Sequence, residues 1–152
     1  TWVDIGSSFL PGEITAAFLC AQFEDAESIT NRRLAIWNKY HAWAADHEAA
    51  GRLIRPTVPE ACEHNAHMYY MLLPSLEART QFIASLRTQG VQSVFHYIPL
   101  HTSPAGKAFG RSAGDLPVTV DVSDRLVRMP LWLGVEEHLP AILAAADNAL
   151  VG

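Results

Sequence analysis

The sequence predicts an α+β fold: a long N-terminal connecting helix, then a small sheet of about three strands with helices on one face. Three observations predict it. Apolar residues recur at helical spacing from Ile14 to Ala44, and no proline falls between Gly12 and Arg55. Two short runs rich in aromatic and aliphatic residues, 67–73 and 91–97, bracket a stretch with helical start and stop signals. The chain closes on an Ala- and Leu-rich stretch, 136–150.

Residues 1–12 hold Gly6, Ser7, Ser8, Pro11 and Gly12, a turn-forming lead-in. Ser7 or Ser8 is a candidate helix cap, and Pro11 is tolerated in a first helical turn. The helix spans 13–50, as one rod or as two pieces jointed in the polar stretch 24–28. Its first apolar stripe is Ile14, Ala17, Phe18 and Ala21, and the second is Ile36, Trp37, Tyr40, Trp43 and Ala44. Glu27, Arg32 and Arg33 are expected on its solvated face. Residues 51–152 form the small α+β unit. Pro56 and Pro59 mark 52–65 as loop, and His67 to Leu73 reads as a strand stopped by Pro74. Ser75 opens a helix that runs to about Thr88, with Ala78, Phe82, Ile83 and Leu86 inward and Gly90 at its C-terminal end. Val91 to Tyr97 is the second expected strand. A short helix or turn follows over 102–110. The acidic run Asp121 to Asp124 suits the start of another short helix, and Val127 to Leu131 a third strand that Pro130 confines to an edge or end. Helix over 136–150 completes the order.

Composition removes several functions. Eleven Lys and Arg stand against sixteen Asp and Glu, a net charge of −5, and only Lys39 and Lys107 are lysines. Nucleic-acid and anionic-membrane binders normally carry a basic face, so neither partner is expected. No apolar run is long enough to cross a bilayer. Two cysteines, Cys20 and Cys62, fit a reducing, cytoplasmic setting rather than a disulfide scaffold. The start at Thr1, without Met or signal pattern, suggests a piece of something longer.

The densest polar cluster is Phe95-His96-Tyr97-Ile98-Pro99-Leu100-His101, at the end of an expected strand where ligand sites are common. Alternation along that strand would turn His96 and Tyr97 to opposite faces, and His101 follows in a loop. Histidine can donate, accept or shuttle protons near neutrality. A hydrogen-bonded core histidine beside a sheet-filling tyrosine is the plainer reading, and spacing alone leaves both open. Cys62, His64 and His67 hint at zinc, but structural zinc wants four ligands in clear pairs, so a polar strand entrance fits better and no metal is expected. Lys107 and Arg111, flanking Gly106 and Gly110, can meet a phosphate, although the P-loop spacing is absent and a solvated loop is the simpler reading.

Two strings together carry a resemblance. Asp4-Ile5-Gly6-Ser7-Ser8-Phe9-Leu10-Pro11-Gly12-Glu13-Ile14 and Val94-Phe95-His96-Tyr97-Ile98-Pro99-Leu100-His101-Thr102-Ser103-Pro104-Ala105-Gly106, with Ala66-His67-Met68-Tyr69-Tyr70 between them, resemble the C-terminal part of the DegT/DnrJ/EryC1 sugar aminotransferases. The likeness covers essentially the whole chain in the same order. It implies the small C-terminal domain of a fold-type I pyridoxal phosphate enzyme, homodimeric, in which a long connecting helix follows a large cofactor-holding domain. The implied reaction moves an amino group from glutamate to the 4-keto carbon of dTDP-4-keto-6-deoxyglucose. His96, Tyr97 and His101 match the family segment that lines the nucleotide-sugar cleft. Ser8 stands where most members carry an Asn that reaches the cofactor phosphate of the neighbouring subunit, and Leu10 where they carry Arg. The family's Schiff-base lysine and the Asp paired with the pyridine nitrogen lie upstream of everything present, and neither Lys39 nor Lys107 sits in that setting. The resemblance therefore implies that this chain alone carries no catalytic residue and is inactive. A non-catalytic nucleotide-sugar binding module is the alternative, and a metal-binding domain built on Cys62, His64 and His67 the remoter one.

Overall fold

The computed structural model describes residues 10–151. The expected long helix is present in two pieces, α1 (Glu13–Glu24) and α2 (Ala26–Ala49), jointed at Asp25. The helix opens on Gly12, with Pro11 ahead of the cap rather than in the first turn. Ser7 and Ser8 lie outside the described residues. α1 buries none of its residues, and Ile14, Phe18 and Phe23 stand exposed. α2 instead buries Ile36, Trp37, Tyr40, Ala44 and His47, a three-and-four spacing that puts them on one face. It ends in a Schellman motif. Gly51 adopts φ +70°, its N–H donates to Glu48, and the N–H of Arg52 donates to His47.

Two strands form the sheet, β1 (Tyr69–Leu72) and β2 (Leu126–Met129), paired antiparallel with Tyr69 opposite Met129 and Met71 opposite Val127. Those four side chains are buried and share one face, as the two-residue period requires. The α+β expectation holds, with one correction to the sheet. Val91 to Tyr97 is not a third strand, and only Val94 bridges Arg128. Ile54 makes a matching single bridge to Leu72 on the far edge of β1. The ladder is short because α5 runs directly into β2 at Arg125, while Pro130, which has no N–H to give, follows its other end.

Helix α3 (Leu76–Thr88) has the expected cap, the Ser75 hydroxyl accepting from the Ala78 N–H, and buries Phe82 and Leu86. Its exit is a second Schellman motif at Gly90, φ +78°. A 3-10 turn at Leu100–Thr102 leads to α4 (Pro104–Phe109) and then α5 (Pro117–Arg125), both with Pro in the first turn. Another 3-10 turn, Val135–Glu137, precedes the closing helix α6 (Leu139–Val151). Residues of α2, α3, α6 and the sheet's buried face make one core, in which the rings of Tyr40 and Tyr69 stack at 5.2 Å. Arg32 stays exposed as expected, whereas Arg33 corrects the solvated-face expectation. Arg32 pairs with Glu136 at 2.8 Å, and half-buried Arg33 donates to the carbonyls of Ala66 and His67. They fasten α2 to the loop before β1 and to the turn before α6.

Candidate functional site

After Val94 the chain leaves the sheet edge, and the polar string predicted from sequence crosses the surface beside α5. Because this stretch is not a strand, side-chain alternation does not apply. The rings of His96 and Tyr97 lie together, centroids 3.9 Å apart, rather than on opposite faces. They border a groove of about 440 Å³ shared with Ile98, Val118, Thr119 and Val122. The Ser123 hydroxyl on α5 donates to the Tyr97 carbonyl and ties the string to that helix.

His96 is held from the sheet. A guanidinium Nη1 of Arg128 donates to its Nδ1 at 2.8 Å. Burial, the Arg128 cation and nearby His67 together hold His96 below the ordinary imidazole value of 6.5. The Tyr97 ring is two-thirds exposed, at 66%.

His101 lies in the 3-10 turn and borders a second groove, about 960 Å³, with Lys107, Phe109, Arg111 and Thr119. Its Nε2 is buried and has no hydrogen-bond partner among the described residues. Thr119 lines both grooves, so the two adjoin, with His96 on one and His101 on the other. The turn is tight around Gly106. Its N–H donates to Ser103, and a Cβ there would overlap the Leu100 carbonyl. No carboxylate pairs with Lys107 or Arg111 among the described residues. The first groove thus offers the Tyr97 ring and one imidazole, and the adjoining one Phe109, a second imidazole and two cations, sets that suit an apolar ring and an anionic group respectively.

Among the described residues, the other sequence candidates line neither groove. His64 meets the Trp37 ring edge-on at 4.5 Å, and His67 bonds to Asn65. Among the described residues no three His, Cys, Asp or Glu side chains converge as a metal site. Ser8 lies outside the described residues. A cleft of about 710 Å³ between the end of α3 and the start of α6 is mostly apolar, bordered by Val91, Leu131, Trp132 and Ile142. Arg128, Ser123 and Thr119 were not legible as site residues, since each reaches the string across a long sequence gap. Among the described residues no helix is long and apolar enough to cross a membrane.

A small helix-rich α+β layer hung on a jointed helix has counterparts in fold among solved aminotransferases. An aminotransferase of pseudoaminic acid biosynthesis from Helicobacter pylori superposes with a TM-score of 0.82 at 17% identity, over 97% of this chain and 40% of that one. Sequence comparison is more specific. The profile of the DegT/DnrJ/EryC1/StrS aminotransferase family matches residues 3–144, and the chain belongs to that family. An uncharacterized protein of Methanocaldococcus jannaschii is 31% identical over 134 residues, 86% of this chain and 34% of its own length. A dTDP-4-dehydro-2,3,6-trideoxy-D-glucose 4-aminotransferase of Saccharopolyspora spinosa is 28% identical over 134 residues, 88% of this chain and 33% of its own. The chain spans about a third of the length of these curated relatives.

The described residues do not by themselves fit a pyridoxal phosphate centre. Such a centre needs a lysine and a carboxylate converging on one cavity. Lys39 is exposed on α2, outside both grooves, and Lys107 shares its groove with Arg111 and His101 but with no Asp or Glu.

Proposed function

We propose that this chain is the C-terminal, substrate-side domain of a pyridoxal phosphate-dependent nucleotide-sugar aminotransferase. In this reading the whole enzyme, a cytoplasmic homodimer, moves an amino group from glutamate to the 4-keto carbon of dTDP-4-keto-6-deoxyglucose. It is of the type that makes dTDP-4-amino-4,6-dideoxygalactose. The cofactor, its lysine and its pyridine-pairing Asp come from outside this chain, which alone does not transaminate. Ser8 reaches the cofactor phosphate of the neighbouring subunit. His96, Tyr97 and His101 contact the nucleotide sugar: the Tyr97 ring offers an apolar wall and a phenol donor, and the two imidazoles offer polar contacts on either side of Thr119.

The observation that carries the reading is the coincidence of two independent features. The family match runs through the His-Tyr-x-Pro-Leu-His string, and that string borders two adjoining grooves, one beside the Tyr97 ring and one holding Lys107 and Arg111. A titration of the chain with thymidine diphosphate and with a dTDP-hexose, followed by amide NMR, tests it. Shifts are expected at residues 96–101 and 107–119, and to be lost in Tyr97→Ala. Shifts confined to the cleft between α3 and α6, or none at all, would refute it.

A further inference from the structure

We propose that Arg128 is a positioning residue that fixes where the proton of His96 sits, and so makes His96 a hydrogen-bond donor toward the groove. Arginine carries only donors and stays protonated across the physiological range. An imidazole nitrogen 2.8 Å from its Nη1 therefore has to be an acceptor. Nδ1 of His96 is thereby unprotonated, and the single proton of the neutral ring is on Nε2. Among the described residues nothing hydrogen-bonds Nε2, which is also not among the buried unpartnered atoms. It is the nitrogen left to a ligand.

The groups around His96 act in one direction. Arg128 approaches from β2, and His67 adds positive potential from the loop before β1. Tyr97 packs on the ring, and the groove-lining residues of α5, Thr119, Val122 and Ser123, do not titrate. No carboxylate faces His96 to favour the doubly protonated ring, and burial opposes it as well. Arg128 is itself pinned. Its backbone pairs with Tyr70 in the ladder and exchanges two hydrogen bonds with Val94, two residues before His96. Its side chain is consequently delivered to the string by the same ladder that carries the string's first residue.

The consequence is selectivity. A neutral imidazole locked with its proton on Nε2 favours ligand groups that only accept, such as phosphate oxygens, and offers nothing to an ammonium or other donor-only group. The ligand half of this inference rests on the function proposed above, whereas the tautomer half stands on the chain alone.

The test is long-range proton–nitrogen NMR of the histidines in the 15N-labelled chain, with His96 assigned through His96→Gln. Near neutral pH, Nδ1 of His96 is expected in the unprotonated range, Nε2 in the protonated range, and the ring to titrate below 6.5. In Arg128→Met the two nitrogens should average toward a mixture of tautomers and the titration should rise toward 6.5. Arg128→Lys, which keeps a cationic donor, should restore the Nε2–H form at least in part. A proton on Nδ1 in the unsubstituted chain overturns the assignment without any variant. So does a tautomer unchanged in an Arg128→Met chain whose amide spectrum remains folded. Added thymidine diphosphate should move the Nε2 signal of the unsubstituted chain more than any other histidine nitrogen. If it leaves His96 unmoved while the free-chain spectra are as stated, the substrate reading falls and the role of Arg128 stands.

Discussion

Tyr40 and Tyr69 stack in the core as chemically identical side chains, but the structure gives their hydroxyls opposite energetics. The Tyr40 hydroxyl donates to the Pro130 carbonyl at 2.8 Å and so ties α2 to the residue that ends β2. The Tyr69 hydroxyl is buried with no partner among the described residues. Tyr40→Phe removes a donor and strands a half-buried carbonyl, at a cost of about 1–2 kcal/mol. Tyr69→Phe removes a polar atom that has nothing to bond, and should be neutral or stabilising by up to about 1 kcal/mol. Urea unfolding of the two variants is the assay. With a slope of about 2 kcal/mol per molar, Tyr40→Phe should lower the midpoint by about 0.5–1 M. In a chain of this size its melting temperature should fall by about 2–4 °C per kcal/mol. Tyr69→Phe should leave the midpoint in place or raise it, with the slope unchanged in both. Alkaline titration gives a second readout. Burial pushes both phenols above their ordinary 10.0, so the unfolded chain ionises first. Stability is therefore complete below pH 10 and falls as pH rises past it, less steeply in either Phe variant. An unchanged midpoint for Tyr40→Phe, or a loss for Tyr69→Phe equal to that for Tyr40→Phe, would refute the reasoning.

Three further outcomes are expected. The Arg55 backbone N–H, then its side chain, hold Glu48 below its ordinary 4.5. A depressed carboxylate contributes stability above that value and loses it as pH falls through the folded-state pKa. The gap between the unsubstituted chain and Glu48→Gln in urea should accordingly be widest at neutral pH and shrink below pH 4.5. Gly106→Ala drives a Cβ into the Leu100 carbonyl, so overpacking should cost about 1–3 kcal/mol. Limited proteolysis should then open between Leu100 and Phe109 before the core, and equal resistance to cleavage would count against the tight turn. Asp147 accepts from Trp43 Nε1 at 2.7 Å and lies 2.8 Å from His47 Nε2, joining α2 to α6. Because the carboxylate is half exposed, Asp147→Asn should cost at most about 1 kcal/mol in thermal melts.

Elements defined by local chemistry were legible in the sequence. The helical period of Ile36, Tyr40 and Ala44, the Ser75 cap and the left-handed Gly90 each act within a few residues. The polar joint near residue 25 was legible for the same reason. The second expected strand was not. Val91 to Tyr97 has strand-like composition, but a strand exists only where a partner ladder is long enough to pair it, and β2 is four residues long between α5 and Pro130. The error carried into the site, because strand alternation set His96 and Tyr97 apart where the structure packs them together. His96, Tyr97 and His101 were nonetheless singled out, as a dense run of polar and aromatic residues and by family resemblance, and the structure sets them beside the two grooves. Arg128 gave no such signal, since its approach to His96 depends on pairing across 32 residues. Arg33 misled for a related reason, as its partners, the Ala66 and His67 carbonyls, are remote in sequence.

The proposed function assigns the reaction to an enzyme whose cofactor lysine lies outside these 152 residues. Borohydride trapping of added pyridoxal phosphate tests it most directly, on this chain and on the complete product of its gene, read by absorbance and peptide mapping. Stoichiometric trapping is expected in the complete product on a lysine outside residues 1–152, and none specifically on this chain. Stoichiometric trapping at Lys39 or Lys107, or no trapping in either protein, would contradict it.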